Sequence, residues 1–538
     1  MKRFVTVLIT LVLILSTFFT FVLAEGKQSP RVISGTVAHP PAEGTVSSRD
    51  TLTMRLAADP GTLDPNNSNS NQWVIASMVY MPLFVPVDQT GIGESFEYIV
   101  ARGSLVEEYA WDEDFMGLTF KLRQGVKFTN GEEVKASDFI FSAKLLLTTT
   151  STFYAIDFEN IKALDDYTIH MPLVQRDSAL FNNLCISLKV ISEKAWNKSS
   201  DPASTFFTSN ELVSAGPFKI VQWQSGDHVL LERNDDYYFG APLLKYIRVR
   251  FISEQAVAMM ELETGGIDVL DEPLYLDYQN VINGTYGEEF TNWMSTGQFL
   301  TMIGFNGSGM FSDYRVRKAF CLALDKEMIF RGSYDGNGMN AYTVFSTSAD
   351  YVKNYKDNWP LNRNVDEAKK LLAEAGYAKG FDCRVIYNGL GEQGLALQVM
   401  KNQLSDVGIN LIIQAYDTAT YKSMMSNELD TWDCWCRRWG GQGMFTATFL
   451  RYIADQNMHF VDYTENGKDL IQLGEELAVE MDPALLESKL ADFQDRFWDE
   501  YLFWYPIHMQ VYTAIVRSDL MGATRVNTHY DFSQAYFQ

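Results

Sequence analysis

The chain opens on an uninterrupted apolar run, Phe4 to Leu23, that follows Lys2 and Arg3 and closes on Val22-Leu23-Ala24. A charged start, an apolar core and a small-residue end make a secretory signal over residues 1–24. Cleavage after Ala24 leaves Val22 and Ala24 where signal peptidase needs small side chains, while the length of the run also suits an uncleaved membrane anchor. Residues 25–50 are polar, contain Pro and Gly and have no period, which predicts a flexible spacer. From Thr51 the pattern alternates short strand-like runs with well-marked helices. In SEQAVAMMELETGGIDVL, Ser253 is placed to cap a helix over Ala256–Leu262, Gly265 ends it, and a strand starts at Ile267–Leu270. In NVDEAKKLLAEAGY the helix starts at Asn364 or Asp366, carries Ala368, Leu371, Leu372 and Ala375 on one side and leaves at Gly376. Repeated strand and helix signals predict an α/β protein.

Length and charge narrow this picture. No segment after the signal is a long enough apolar run to span a membrane, so the mature part is expected to be soluble, and its length calls for two or more lobes. The formal net charge of −24 becomes −26 once Lys2 and Arg3 are removed, which disfavours nucleic acid and anionic headgroups as partners. The first cysteine is Cys185, so no thiol near the signal is available for lipidation. Cys434 and Cys436 lie two apart on one strand face and are poorly placed to bridge each other. All five cysteines read as buried thiols, with one disulfide and a leftover thiol as the alternative.

Four stretches then point to one family. SLVEEYAWDEDFMGLTFKLRQGVKFTNGEEVKASDFIFSAKLL (residues 104–146) has an alternating strand, a glycine turn, a second strand and a capped helix. It is followed in order by GPFKIVQWQSGDHVLLERNDDYYFG (Gly216–Gly240), IGFNGSGMFSDYRVRKAFCLALDKEMI (Ile303–Ile329), and NVDEAKKLLAEAGY with VMKNQLSDVGINLIIQAYD (Val399–Asp417). Together they resemble the extracellular solute-binding proteins of family 5, the peptide- and nickel-binding class. The resemblance implies a two-lobed periplasmic-binding fold of the second type, with lobe one over 51–300 and an extra subdomain near 83–212. Lobe two would cover 301–500, and residues 501–538 would return the chain to lobe one. Two crossings, near Phe299–Ile303 and Tyr505–Met509, would form a hinge, with ligand enclosed between the lobes. It also implies a monomeric binding protein that hands its ligand to the permease of an ABC importer.

The resemblance suggests binding residues and marks one departure. In peptide-binding relatives a Tyr-Asp pair leads to Gly-Trp-x-x-Asp, whose aspartate holds the ligand's amino terminus. Here the stretch is TWDCWCRRWGGQGMFTATFL: Trp432-Asp433 matches the first pair, Trp439 the tryptophan, and Gln442 falls where the aspartate should be. An ammonium in a dry cleft needs a carboxylate, and an amide gives only hydrogen bonds. The ligand then either lacks a free amino terminus or binds it through Asp433 or a carboxylate elsewhere, and Arg437 or Arg438 would repel it if turned to the cleft. Trp439 could stack on a peptide plane or a sugar ring, or pack in a core. In lobe one, RLAADPGTLDPNNSNSNQW resembles the family's first strand and loop, with Asp59, Gly61 and Thr62 nearest the ligand and Asp64-Pro65 a turn. Oligosaccharides suit the tryptophans and the missing aspartate, and stand beside peptides as the alternative ligand.

Enzyme readings carry less. Gly389-x-Gly391-x-x-Gly394 follows a strand and opens a helix, in the form of a dinucleotide fingerprint, yet Glu392 sits where pyrophosphate charge would rest. There is no Gly-x-Ser-x-Gly elbow and no His-Glu-x-x-His helix, and His228 and His508 read as structural. No spaced ligand cluster predicts a metal, and no cofactor is expected.

Overall fold

The computed structural model describes residues 47–65, 70–86, 98–99, 104–148, 151–208, 212–334, 337–345, 353, 355–389, 391–439, 465–526 and 528–538. The signal, nearly all of the spacer, and Gln442 lie outside the described residues. Among these residues one large sheet runs through the molecule. Its strands stand in the order Ile409–Ala415, Phe381–Tyr387, Cys434–Trp439, Phe290–Phe305, Trp504–Arg517, Val269–Asp271, Thr51–Leu56, Tyr246–Phe251, His228–Arg233 and Phe218–Gln224. Each half of the sheet contains a parallel pair of the kind that helices cover: Phe381–Tyr387 pairs parallel to Ile409–Ala415, and Thr51–Leu56 parallel to Tyr246–Phe251. A separate four-stranded antiparallel sheet is built from Val106–Trp111, Gly117–Leu122, Lys162–Ala163 and Thr168–Pro172.

Two large apolar clusters lie on either side of the sheet's middle. One gathers residues from Leu52 to Val269 and then from Ala514 to Phe537; the other runs from Leu300 to Met509. Trp432 and Trp435 are both buried in the second. Gly304 makes room for the Trp435 indole, which any side chain there would strike. All five cysteines are buried free thiols, and the Cys434 sulfur lies 3.6 Å from that of Cys383.

The two clusters are joined by a pair of long antiparallel strands, the 16-residue Phe290–Phe305 and the 14-residue return strand Trp504–Arg517. Their register slips between Thr296 and Leu300 and again between Thr301 and Met302, where Pro506 stands opposite and has no N–H for the ladder. Bulges and a proline leave this stretch weakly tied, and that is where a two-strand hinge can bend. Lys326 anchors the proline from the second cluster: its buried ammonium donates to the Pro506 carbonyl between the rings of Tyr505 at 4.5 Å and Trp359 at 4.7 Å.

Local helix signals are partly obeyed. Val365–Glu374 is capped by Asn364, whose side chain accepts from the Glu367 N–H at 3.1 Å. The helix expected after Ser253 instead starts at Gln255, with Glu254 at its cap and no side-chain capping bond. The Ser253 carbonyl is reached by the buried guanidinium of Arg55 at 3.5 Å, so a tertiary contact fixes the chain entering this helix. Gly265 follows the helix with φ +77, as expected for its end.

Candidate functional site

The strands that cross between the clusters set one row of side chains at the junction. Thr301 stands opposite Arg438 on one side and His508 on the other, and His508 opposite Asn340. Residues opposed in an antiparallel ladder project to the same face, so Arg438, Thr301, His508 and Asn340 share one surface. His508 is buried, its ring parallel to Tyr334 at a centroid distance of 3.7 Å and its Nε2 2.8 Å from the Asn337 carbonyl oxygen. Gly338, at φ +102, brings that loop so close that a side chain there would strike the imidazole. Burial pushes His508 down to about 4, with the neighbouring Arg438 charge acting in the same direction. It is a neutral, packed ring. His228 pairs with Asp227 at 2.8 Å in its hairpin.

Arg438 is exposed, with its guanidinium 5.0 Å from the centre of the Phe299 ring in the bulged crossing. Trp439 follows it in the strand and its backbone pairs with Leu300. Asp433, immediately before the strand Cys434–Trp439, is already engaged. Arg384 donates to its carboxylate from Nη2 at 2.8 Å, Nε at 2.9 Å and the backbone N–H at 2.7 Å. A carboxylate held by a fork of this kind is neutralised in place.

The first-strand loop is likewise tied to its own lobe. The Asp59 carboxylate accepts from the N–H of Gly61 at 2.9 Å and of Gly226 at 2.8 Å, and from the Trp223 indole at 3.3 Å. Gly61 takes φ +71 with open space around it. Thr62 accepts from the Asp64 N–H at 3.1 Å, which makes the expected turn. Asp59 thus shapes the loop, and the exposed Gly61 leaves its backbone open there.

One carboxylate was not singled out by sequence. Glu272 follows the strand Val269–Asp271 in a left-handed conformation, φ +48, directly before Pro273. The residue before a proline is pushed toward extended backbone, and strain of this type costs about 1–3 kcal/mol. The conformation is held by two bonds: the Glu272 N–H donates to the Thr513 carbonyl of the return strand at 2.9 Å, and its own carbonyl accepts from Gln255 at 2.9 Å. Its neighbour Asp271 is engaged through Oδ1, which pairs with the buried Arg525 at 2.8 Å and accepts from Tyr530 at 2.5 Å. Arg55 is spent on carbonyls, including that of Asp271 at 2.8 Å. Burial pushes the Glu272 carboxyl above its ordinary range, Asp271 adds to the rise, and Arg525, Arg55 and Arg438 oppose it. The acidic pair before a proline was the available signal in sequence.

Among the described residues no group of three or more His, Cys, Asp or Glu side chains is placed to hold a metal, and no helix is long and apolar enough to cross a membrane. The unit around Gly389, Gly391 and Gly394 is a parallel strand–helix–strand, with Glu392 in the helix's first turn.

Comparison with known proteins agrees with this architecture. Residues 101–458 match the family described as bacterial extracellular solute-binding proteins, family 5 Middle. The oligopeptide-binding protein AppA of Bacillus subtilis is 29% identical over 294 residues, a match that spans 52% of this chain and 52% of AppA. The periplasmic oligopeptide-binding protein OppA of Salmonella typhimurium is 23% identical over 79% of this chain and 82% of its own length. Among solved structures, the ABC transporter substrate-binding protein CtaP of Listeria monocytogenes superposes with a TM-score of 0.75 at 22% identity, covering 91% of this chain and 99% of CtaP. The fold is that of the two-lobed, type II periplasmic binding proteins, and this chain belongs to the extracellular solute-binding proteins of family 5.

Proposed function

We propose that this chain is exported, captures a peptide between its two lobes outside the cytoplasmic membrane and passes it unchanged to the permease of an ABC importer. The observation that carries the reading is the pair of long strands joining two separately packed clusters, bulged where they cross, in a chain of family 5. The names of the relatives AppA and OppA favour peptides. In this reading lobe one covers 51–300 with 501–538, lobe two covers 301–500, and the protein works as a monomer without a cofactor. Its ligand contacts are Arg438, Trp439 and Gln442 from lobe two and the loop Asp59–Gly61–Thr62 from lobe one, and Asp433 steadies the strand through Arg384. Ligand shifts the open–closed balance only by its preference for the closed form.

The test is the melting temperature of residues 25–538 against pools of short peptides and of oligosaccharides. A ligand at a hundred times its Kd adds about 2.7 kcal/mol, enough to move the midpoint by about a degree or more. A shift with peptides supports the proposal; a shift with sugars alone replaces it by carbohydrate uptake.

A further inference from the structure

The junction holds two opposite charges, one from each side, that find no hydrogen-bond or ion-pair partner among the described residues. On the lobe-one side, Glu272 sits deep in the molecule but keeps contact with solvent, and among the described residues its carboxylate makes no hydrogen bond and no ion pair. Every neighbouring charge on its own side is committed: Asp271 and Arg525 to each other, Arg55 to main-chain carbonyls. On the lobe-two side, the Arg438 guanidinium stacks on Phe299 and likewise makes no hydrogen bond or ion pair among the described residues. Both border the return strand: the Glu272 N–H donates to its Thr513 carbonyl at 2.9 Å, and Arg438 stands opposite Thr301, which in turn stands opposite His508; the Arg438 charge also acts on Glu272. The fold also holds Glu272 in a backbone conformation that glutamate before proline resists, as conformational outliers at binding sites often are. A largely desolvated carboxylate without a partner is unfavourable until a cation reaches it, whereas the exposed Arg438 guanidinium stands open to an anion.

We propose that Glu272 and Arg438 receive the two ends of a zwitterionic peptide, Glu272 its ammonium and Arg438 its carboxylate. This rests on the peptide-binding reading and deepens it. It supplies the carboxylate that position 442 lacks, and it gives Arg438 an attractive role in place of the repulsive one expected from sequence. A ligand that matches only one charge leaves the other desolvated and unpaired, so discrimination against capped peptides follows from the same two residues.

Calorimetric titration of residues 25–538 with tri-, tetra- and penta-alanine, each free, N-acetylated or C-amidated, tests the assignment. For the length that binds best, N-acetylation should weaken binding to the wild type about tenfold or more, and by less than about threefold in Glu272→Gln. C-amidation should behave the same way with Arg438→Ala. Unliganded melting temperatures of both variants serve as the folding control, and a merely structural role would not make the capping penalty depend on the variant. If free and capped peptides bind alike, or if the penalties persist unchanged in the variants, the assignment is overturned while the peptide-binding reading stands. If no alanine peptide binds the wild type but other peptide pools raise its melting temperature, the same titrations run on the peptides that do bind decide it. If no peptide binds at all, both readings fall together.

Discussion

Two acidic sites end strands on opposite halves of the large sheet, and they handle charge in opposite ways. At the start of Cys434–Trp439, one carboxylate meets one guanidinium: Asp433 is forked by Arg384, with side chains 14% and 37% exposed. At the end of Val269–Asp271, two carboxylates stand beside one pairing guanidinium: Arg525, 1% exposed, takes Asp271, 7% exposed, and Glu272 is left over. Both sites lie at the ends of short strands of one sheet, so the difference is one of charge stoichiometry and not of architecture. A matched pair fixes a strand end. An unmatched one lowers stability in the empty protein and leaves a charge ready for something that arrives later.

The sharpest way to break this contrast is to unmatch the matched pair on lobe one. Asp271→Asn keeps the shape but leaves the buried Arg525 with only the weaker field of Glu272, and since removing one partner of a buried pair costs about 3–5 kcal/mol, the loss should approach the lower end of that range. Denaturant unfolding should show the loss; a change below about 1 kcal/mol would mean that Arg525 is not confined to this pair.

His508 gives the next largest effect, through pH. Its folded value of about 4 lies below the unfolded value near 6.5, so the native state resists protonation that the unfolded chain accepts. Its contribution is complete above about pH 6.5 and is lost as pH falls toward 4, the loss reaching about 3 kcal/mol at the lower end. His508→Phe, which can keep the stack on Tyr334, should flatten stability across that window relative to the wild type. Parallel curves for the two proteins would show that the ring is hydrated and not packed as described.

Asp433→Asn comes third. The pair is partly solvated, so the loss should be about 1–2 kcal/mol, with little change in ligand affinity. A large loss of affinity with little loss of stability would restore Asp433 as the ligand's anchor.

What could be read in the sequence divides along the same line, local against distant. Asn364 caps its helix because the donor it satisfies lies three residues away, and Gly265 ends its helix through its own positive φ. The family could be read because scaffold stretches keep their order. The Ser253 carbonyl is reached by Arg55 while the helix starts two residues later, and the buried Arg317 is satisfied by the Tyr501 carbonyl at 2.9 Å, partners that only folding brings together. Asp433 looked available for the same reason: nothing nearby in sequence shows that Arg384 occupies it. Glu272 was invisible because its isolation depends on Arg525, far along the chain, choosing Asp271.

The smallest stability effect belongs to Glu272, and its sign is the informative part. Burial, with Asp271 beside it, raises the folded carboxyl above its unfolded value, so the fold favours the protonated form. The contribution to stability is therefore present below the unfolded value and lost as pH rises through the folded one, the reverse of His508. Glu272→Gln cannot ionise and escapes this loss, so its melting temperature should gain on the wild type as pH is raised from about 4 to about 8 in the absence of ligand. Saturating ligand should shrink or reverse that gain in the wild type's favour, because an ammonium beside Glu272 offsets the charge that the empty protein leaves unmatched. If the variant loses ground as pH rises, Glu272 has an internal partner in solution, and the contrast between the two acidic sites disappears.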